Sequence, residues 1–390
     1  ILLEGLKRLE YRGYDSAGLV YLDEDCSLRC HRCEGKLANL EAHMEEYNVA
    51  SRIGLGHTRW ATHGSPTEAN AHPHRDCTGS LVVVHNGIIE NFHSLREELR
   101  GRGHNFLSET DTEVLAHLIE EQLECGDLAL AVRRALPRVE GSYALGVMWT
   151  GQPDRLVAAR NQSPLVMGLQ EGGGGFLASD IPALLPYTRE VVFLDDREMA
   201  VITESGWQVV NLADGTPIEK PVHTIDWNAA MAEKGGYKHF MLKEIFEQPQ
   251  SITDTIRGRL DPETGEVSLP EANLDRDFLR SLKRIVLVAC GTSWHAALVA
   301  KYWLEKWTGI PVEVDIASEF RYRRLLLDQA VLVVPISQSG ETADTLAGMR
   351  RARQLGARVV TICNVVGSTM TREADGTIYT HAGPEIGVAS

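Results

Sequence analysis

Ser337-Gln-Ser-Gly-Glu-Thr-Ala-Asp-Thr345 follows the apolar run Ala330-Val-Leu-Val-Val-Pro-Ile336 and precedes Leu346-Ala-Gly-Met-Arg350. The order reads as a buried strand, a hydroxyl-rich turn and a helix. Such a turn sets backbone N–H groups at the positive end of a helix, with Ser and Thr hydroxyls beside them, and that suits a phosphate. The same residues also serve an ordinary N-capped helix. The unit recurs nearby. Arg284-Ile-Val-Leu-Val-Ala289 is a continuous apolar strand, Cys290-Gly-Thr-Ser293 its turn and residues 294–308 its helix, while Val312-Glu-Val-Asp-Ile316 and Ala357-Arg-Val-Val-Thr-Ile362 supply further strands. Strands alternating with helices predict an α/β doubly wound parallel sheet, whose ligands sit at the carboxyl ends of its strands. Both hydroxyl-rich turns fall at such ends and can face one pocket.

The first half of the chain has a different texture. Leu81-Val-Val-Val-His85, Tyr143-Ala-Leu-Gly-Val-Met148 and Val191-Val-Phe-Leu194 read as strands, and residues 94–102 and 111–125 as helices. This predicts an α+β domain rich in sheet. Gly172 to Gly175 is a run of four glycines with no helix pattern after it, so it is expected at a hairpin tip. A polar segment ending in Glu233-Lys-Gly-Gly236 is expected to link the two halves.

Composition narrows the possible partners. With 390 residues, two or three domains are expected, and 43% hydrophobic residues suffice for real cores. The 39 basic and 54 acidic residues give a formal charge of −15, which argues against nucleic acid or an anionic membrane as the main partner. No apolar run approaches the roughly 20 residues that span a bilayer, and Ile1-Leu-Leu-Glu-Gly-Leu-Lys7 carries charges where a signal peptide is apolar. A cytoplasmic protein is expected. Leu2, Leu3, Leu6 and Leu9 already sit at helical spacing when the chain opens on Ile1, and the end at Gly387-Val-Ala-Ser390 has no closing helix, so both ends are expected to be cut. Seven scattered cysteines make a disulfide framework unexpected. Cys26, Cys30 and Cys33 cluster around His31, but a zinc site needs a fourth ligand at suitable spacing. Incidental thiols on a surface hairpin, and no metal, are the expectation.

In the first half, His57-Thr-Arg-Trp-Ala-Thr-His-Gly64 is too irregular for a plain strand, His85-Asn-Gly87 follows a strand, and Glu109-Thr-Asp-Thr-Glu113 opens a helix. Arg59 could grip a carboxylate, Asp111 could hold an ammonium, and the Asn86 amide with the Gly87 N–H could stabilise an oxyanion. Together they would fit an amino-acid amide. Two structural alternatives stand beside this: Asn-Gly is the commonest hairpin turn pair, and Thr110 with Glu113 makes a capping box.

These motifs, with Tyr11-Arg-Gly-Tyr-Asp-Ser16 and Asn70-Ala-His-Pro-His74, resemble the glutaminase domain of class II glutamine amidotransferases, an N-terminal nucleophile fold. Cys290-Gly-Thr-Ser293, Ser318-Glu-Phe-Arg-Tyr-Arg323, the stretch from Ser337 and Glu385-Ile-Gly-Val-Ala-Ser390 resemble the first half of a sugar isomerase (SIS) domain. The pairing resembles the glucosamine-6-phosphate synthase family, the glutamine:fructose-6-phosphate aminotransferases. The implied layout is a glutaminase domain at 1–226, a linker at 227–241 and the first isomerase half at 242–390. The resemblance implies that Arg59 and Asp111 hold glutamine, with Arg12, Trp60, Thr62 and His63 around it. It implies Asn86 and Gly87 as the oxyanion hole and Thr292, Ser293, Ser337, Gln338, Ser339, Thr342 and Val388 as sugar-phosphate binders. It further implies L-glutamine and fructose 6-phosphate as substrates, no cofactor, and a homodimer formed through the isomerase domains.

The departures bear on activity. The family's nucleophile is an amino-terminal Cys, roughly a dozen residues before the segment that resembles Ile1 onward, whose own α-amine is the base. Cys26 lies mid-chain without a free α-amine and cannot replace it. The family's second isomerase half, with the Lys, Glu and His that act on the sugar, has no counterpart here. The chain as it stands is therefore expected to be inactive. Two rivals remain: another class II amidotransferase, whose different second domain leaves the stretch from Ser337 unexplained, and a non-catalytic sugar-phosphate-binding regulator, which leaves the glutaminase motifs unexplained.

Overall fold

Alternate residues of the run beginning at Leu81 face two different cores, and that split organises the first half of the protein. The computed structural model describes residues 1–10, 13, 15–47, 49, 51–59, 64–225, 237–383 and 385–387. The chain divides into two units, Ile1–Ala229 and Ala230–Ser390. The segment 226–236, most of the expected linker, lies outside the described residues, as do Arg12, Trp60, Thr62, His63 and Val388.

The strands of the first unit are β1 (Ser16–Leu22), β2 (Leu28–Glu34), β3 (Gly54–Arg59), β4 (His74–Arg75), β5 (Leu81–Ile89), β6 (Gly141–Trp149), β7 (Arg155–Asn161), β8 (Val166–Leu169), β9 (Gly175–Ala178), β10 (Glu190–Phe193), β11 (Glu198–Thr203), β12 (Gly206–Asn211), β13 (Pro217–Ile218) and β14 (His223–Thr224). Its helices are α1 (Leu2–Lys7), α2 (Leu37–Met44), α3 (Phe92–Gly101), α4 (Glu113–Glu120) and α5 (Leu128–Ala135). A seven-stranded antiparallel sheet ordered β13-β12-β11-β7-β6-β5-β4 lies at the centre. Leu81 and Val83 of β5, with Leu145 and Val147 of β6, pack on Leu99 of α3, Leu118 of α4 and Val132 of α5. Val82 and Val84 turn the other way, onto Val20, Leu55, Met167 and Val192 of two smaller sheets, β2-β1-β3 and β14-β10-β8-β9. Ala17 and Leu19 of β1 face outward onto Leu6 of α1 and Leu40 of α2. The period of two in the strands thus yields helix, sheet, sheet and helix layers, the α+β architecture of an N-terminal nucleophile domain. Burying each such Leu or Val contributes about 1.5–3 kcal/mol.

The second unit contains β15 (Arg284–Ala289), β16 (Val312–Ile316), β17 (Val331–Ser337), β18 (Arg358–Cys363) and β19 (Gly376–Tyr379), with α6 (Phe240–Ile256), α7 (Arg276–Ser281), α8 (Gly291–Thr308), α9 (Ala317–Phe320), α10 (Ala343–Gln354) and α11 (Thr369–Glu373). All neighbouring strands run parallel, in the order β16-β15-β17-β18-β19. Val286, Val288 and Val333 pack on Phe320, Leu346 and Met349, while Ile285, Leu287, Leu332 and Val334 pack on Ala297 of α8. Helices cover both faces, as a doubly wound sheet requires.

Some boundaries differ from the sequence reading. α8 begins at Gly291, so Thr292 and Ser293 occupy its first turn rather than a loop before it. Asn86-Gly87 lies inside β5 and forms no hairpin turn. The helix expected over 111–125 is α4 followed by a separate turn of 3-10 helix, Leu123–Cys125, which ends at Gly126 in the left-handed conformation. No capping box forms between Thr110 and Glu113. Glu113 instead accepts from the N–H groups of Leu107 and Ser108, at 2.7 Å each. Among the described residues no helix is long and apolar enough to cross a membrane.

Candidate functional site

In the first unit Arg59, His57, His85, Asn86, Gly87 and Asp111 line one cavity of about 1300 Å³. Three elements deliver them. β3 ends at Arg59, β5 carries Asn86 and Gly87 past its midpoint, and the segment leading into α4 supplies Asp111. Arg59 is buried, and its guanidinium donates to the carbonyls of Gly64 at 3.2 Å and Ser65 at 3.4 Å. Burial pushes the Arg59 pKa down, while the charges of Asp111 and Asp15 pull it up. Asp111 is buried, and its Oδ2 accepts the Ile89 N–H at 2.8 Å. Its Oδ1 has no hydrogen-bond partner among the described residues.

Gly87 is required by its surroundings. Its φ of +143° lies outside the range that side chains tolerate, and an added Cβ would stand 2.1 Å from the Ser142 carbonyl oxygen of β6. The backbone can therefore come bare to the cavity wall. Beside it, buried His72, His74 and His85 and half-buried His57 form a group, with the rings of His57 and His72 stacked at 4.1 Å. Burial drives His57 and His74 down to about 3, and lowers His72 and His85 as well. All four are neutral near pH 7, so among the described residues beside Gly87 the charged side chains are Arg59 and Asp111. Arg59 and Asp111, facing the same end of the cavity, match the two ends of an amino-acid zwitterion.

Thr112 was not singled out from sequence. Its Oγ1 lies 2.9 Å from His85 Nδ1 and 3.0 Å from His72 Nε2, tying the residue after Asp111 to the residue before Asn86. The signal was its place in Thr110-Asp-Thr112, between a candidate ligand and a helix start.

In the second unit the two hydroxyl-rich turns are neighbours. β15 and β17 pair in parallel with Ala289 opposite Ile336, so Cys290 and Ser337 leave the sheet side by side. Thr345 Oγ1 also reaches Cys290 Sγ at 3.9 Å. Ser337 Oγ accepts the Gly340 N–H at 3.0 Å and lies 3.1 Å from Thr342 Oγ1, and Ser339 Oγ accepts the Glu341 N–H at 3.2 Å. Gly340 has φ +66°, and a Cβ there would meet Ser368 Oγ at 2.0 Å. Thr292 and Ser293 stand in the first turn of α8, Gln338 follows β17, and Thr342 caps α10. The Cys26, Cys30 and Cys33 group is split instead: Cys30 packs toward the inter-sheet core and Cys33 toward α1 and α2.

Residues 16–238 match the glutamine amidotransferase domain family. The chain belongs to that family. Residues 278–390 match the SIS domain family. A curated protein named glutamine–fructose-6-phosphate aminotransferase (isomerizing), from Symbiobacterium thermophilum, is 53% identical over 390 residues, covering 100% of this chain and 63% of its own length. Proteins of the same name from Clostridium acetobutylicum and Streptomyces coelicolor are 50% and 53% identical, again over 100% of this chain and 63% of theirs. The chain thus spans 63% of the length of these relatives.

Proposed function

We propose that this chain is the glutamine-binding and sugar-phosphate-binding part of a glutamine–fructose-6-phosphate aminotransferase. That enzyme converts fructose 6-phosphate and L-glutamine to glucosamine 6-phosphate and glutamate, the first step of hexosamine synthesis. The observation that carries the reading is the convergence of Arg59, Asn86, Gly87 and Asp111 on one cavity. Arg59 takes the α-carboxylate of glutamine and Asp111 its α-ammonium, while Asn86 and the Gly87 N–H face the side-chain amide oxygen as it gains charge. In the second unit Ser337, Gln338, Ser339 and Thr342, with Thr292 and Ser293, cradle the sugar phosphate at two adjacent helix starts.

None of the seven cysteines lines the cavity. Among the described residues the cavity therefore binds glutamine and offers no cysteine to attack it. The regulator reading does not account for the glutamine cavity. A cytoplasmic homodimer completes the proposal: α8 exposes Val299, Tyr302, Trp303 and Trp307, an apolar stripe at helical spacing of the kind that subunit contact covers. Calorimetry tests the binding claim. One L-glutamine and one fructose 6-phosphate should bind per chain, with D-glutamine excluded, and saturation by neither ligand removes the proposal.

A further inference from the structure

Away from the glutamine cavity, four side chains from three separate segments aim their donor atoms at one point. Cys77 stands in the turn between β4 and β5, His104 in the loop between α3 and α4, and His117 and Glu120 on one face of α4. Their Sγ, Nδ1, Nδ1 and Oε2 atoms stand in four close contacts: Cys77 to His104 and to His117 at 3.5 Å, and Glu120 to each histidine at 3.0 Å. All four ligand atoms lie within 4.8 Å of one another. A tetrahedral zinc ion with bonds of about 2.0–2.3 Å sets its ligand atoms about 3.3–3.7 Å apart.

From these residues we infer a structural zinc site at Cys77, His104, His117 and Glu120. The surroundings complete what such a site needs. A carboxylate lies near the other nitrogen of each imidazole, His104 Nε2 being 3.5 Å from Glu121 Oε1 and His117 Nε2, which has no hydrogen-bond partner among the described residues, 3.8 Å from Glu113 Oε1. Their negative charge favours the tautomer protonated at Nε2, which leaves both Nδ1 lone pairs for the metal. The turn bearing Cys77 is itself pinned, since Asp76 Oδ1 accepts the Leu81 N–H at 2.9 Å. The Asn105 N–H reaches Cys77 Sγ at 3.5 Å and holds the side chain in place. His117 is buried and Cys77 exposed, so the ion has an entry path from the Cys77 side.

The charges balance. Binding Zn(II) displaces the proton of the Cys77 thiol, and one thiolate and one carboxylate neutralise the dication while both imidazoles remain neutral. Four protein ligands leave no open position, which makes the site structural rather than catalytic. The ion would clamp the β4–β5 turn and the loop after α3 to α4, the helix that follows Asp111 and Thr112. A plain hydrogen-bonded cluster is the alternative, with both imidazoles donating to Glu120. Such a cluster needs no thiolate and binds no metal.

The test is elemental analysis of the full chain without an affinity tag, after zinc loading and dialysis, with Co(II) substitution as a second readout. About one zinc per chain is expected. The cobalt form should show thiolate-to-metal charge transfer and the intense d–d bands of a tetrahedral site. Cys77→Ser should abolish the charge-transfer band, and His104→Gln should weaken zinc binding by about 100-fold or more, both with unchanged circular dichroism. Glu121→Gln should weaken it by about 10-fold. Double substitution of Cys26 and Cys30 by Ser should change nothing. No retained metal, or equal metal in Cys77→Ser and His104→Gln, overturns the site. If one variant fails to fold, the other decides.

Discussion

The Ile89 N–H donates to Asp111 Oδ2 at 2.8 Å, fastening the segment that leads into α4 to the last residue of β5, two positions beyond Gly87. One bond thus sets the distance between the carboxylate proposed to hold the ammonium and the backbone proposed to stabilise the oxyanion. In Asp111→Asn the amide oxygen can still accept from Ile89, so the fold should survive while the charge is lost. A charge-assisted hydrogen bond contributes about 1.5–3 kcal/mol, so glutamine affinity should fall about 10- to 100-fold. Calorimetry alongside a thermal melt separates the two effects. An equal loss of affinity and of melting temperature would assign Asp111 to structure alone.

Gly87→Ala is expected to damage β5 and the cavity together. The methyl group would lie 2.1 Å from the Ser142 carbonyl oxygen, at a backbone angle that only glycine adopts freely. Strain of this kind costs about 1–3 kcal/mol before the clash is added. The melting transition of the first unit should drop and glutamine binding should disappear. A variant that melts and binds like the parent would show that β6 yields at this point.

Periodicity made much of this fold legible. The continuous apolar runs at 284–289 and 330–336 announce a sheet buried on both faces, and β15 and β17 fall there within a residue. For Asn86-Gly87 the sequence leaves a hairpin turn open as the alternative, because the pair is shared by hairpin turns and by a strand whose neighbour comes too close for a side chain. Thr112 and the four-residue cluster at Cys77 stayed hidden for another reason. The partners of Thr112 and of Cys77 lie 27 to 43 positions away, and only the packing of α4 on the sheet brings them together.

The buried histidines predict an acid-labile first unit. His57 and His74 titrate at about 3 in the folded chain because burial disfavours their charge, whereas the unfolded value is about 6.5. The unfolded state therefore binds more protons between those values. Stability contributed by the neutral rings is complete above about pH 6.5 and is lost as pH falls toward 3, by up to about 1.4 kcal/mol per pH unit for each histidine. Unfolding near about pH 5 should take up about two protons or more, measurable by calorimetry in buffers of different ionisation heat. An uptake of zero would contradict the neutral cluster.

In the second unit, Ser337→Ala removes the acceptor of the Gly340 N–H and the partner of Thr342. The lost internal bond should cost about 1 kcal/mol of stability. Fructose 6-phosphate affinity should fall by about 10-fold or more, with inorganic phosphate weakened in parallel. If phosphate affinity is unchanged while stability drops, Ser337 only shapes the turn.

The most direct measurement is a crystal structure of the chain with L-glutamine bound. The α-carboxylate is predicted on the Arg59 guanidinium, the α-ammonium on Asp111 Oδ1, and the side-chain amide oxygen toward Asn86 and the Gly87 N–H. Glutamine found outside the cavity, or seated with its carboxylate away from Arg59, would contradict the account.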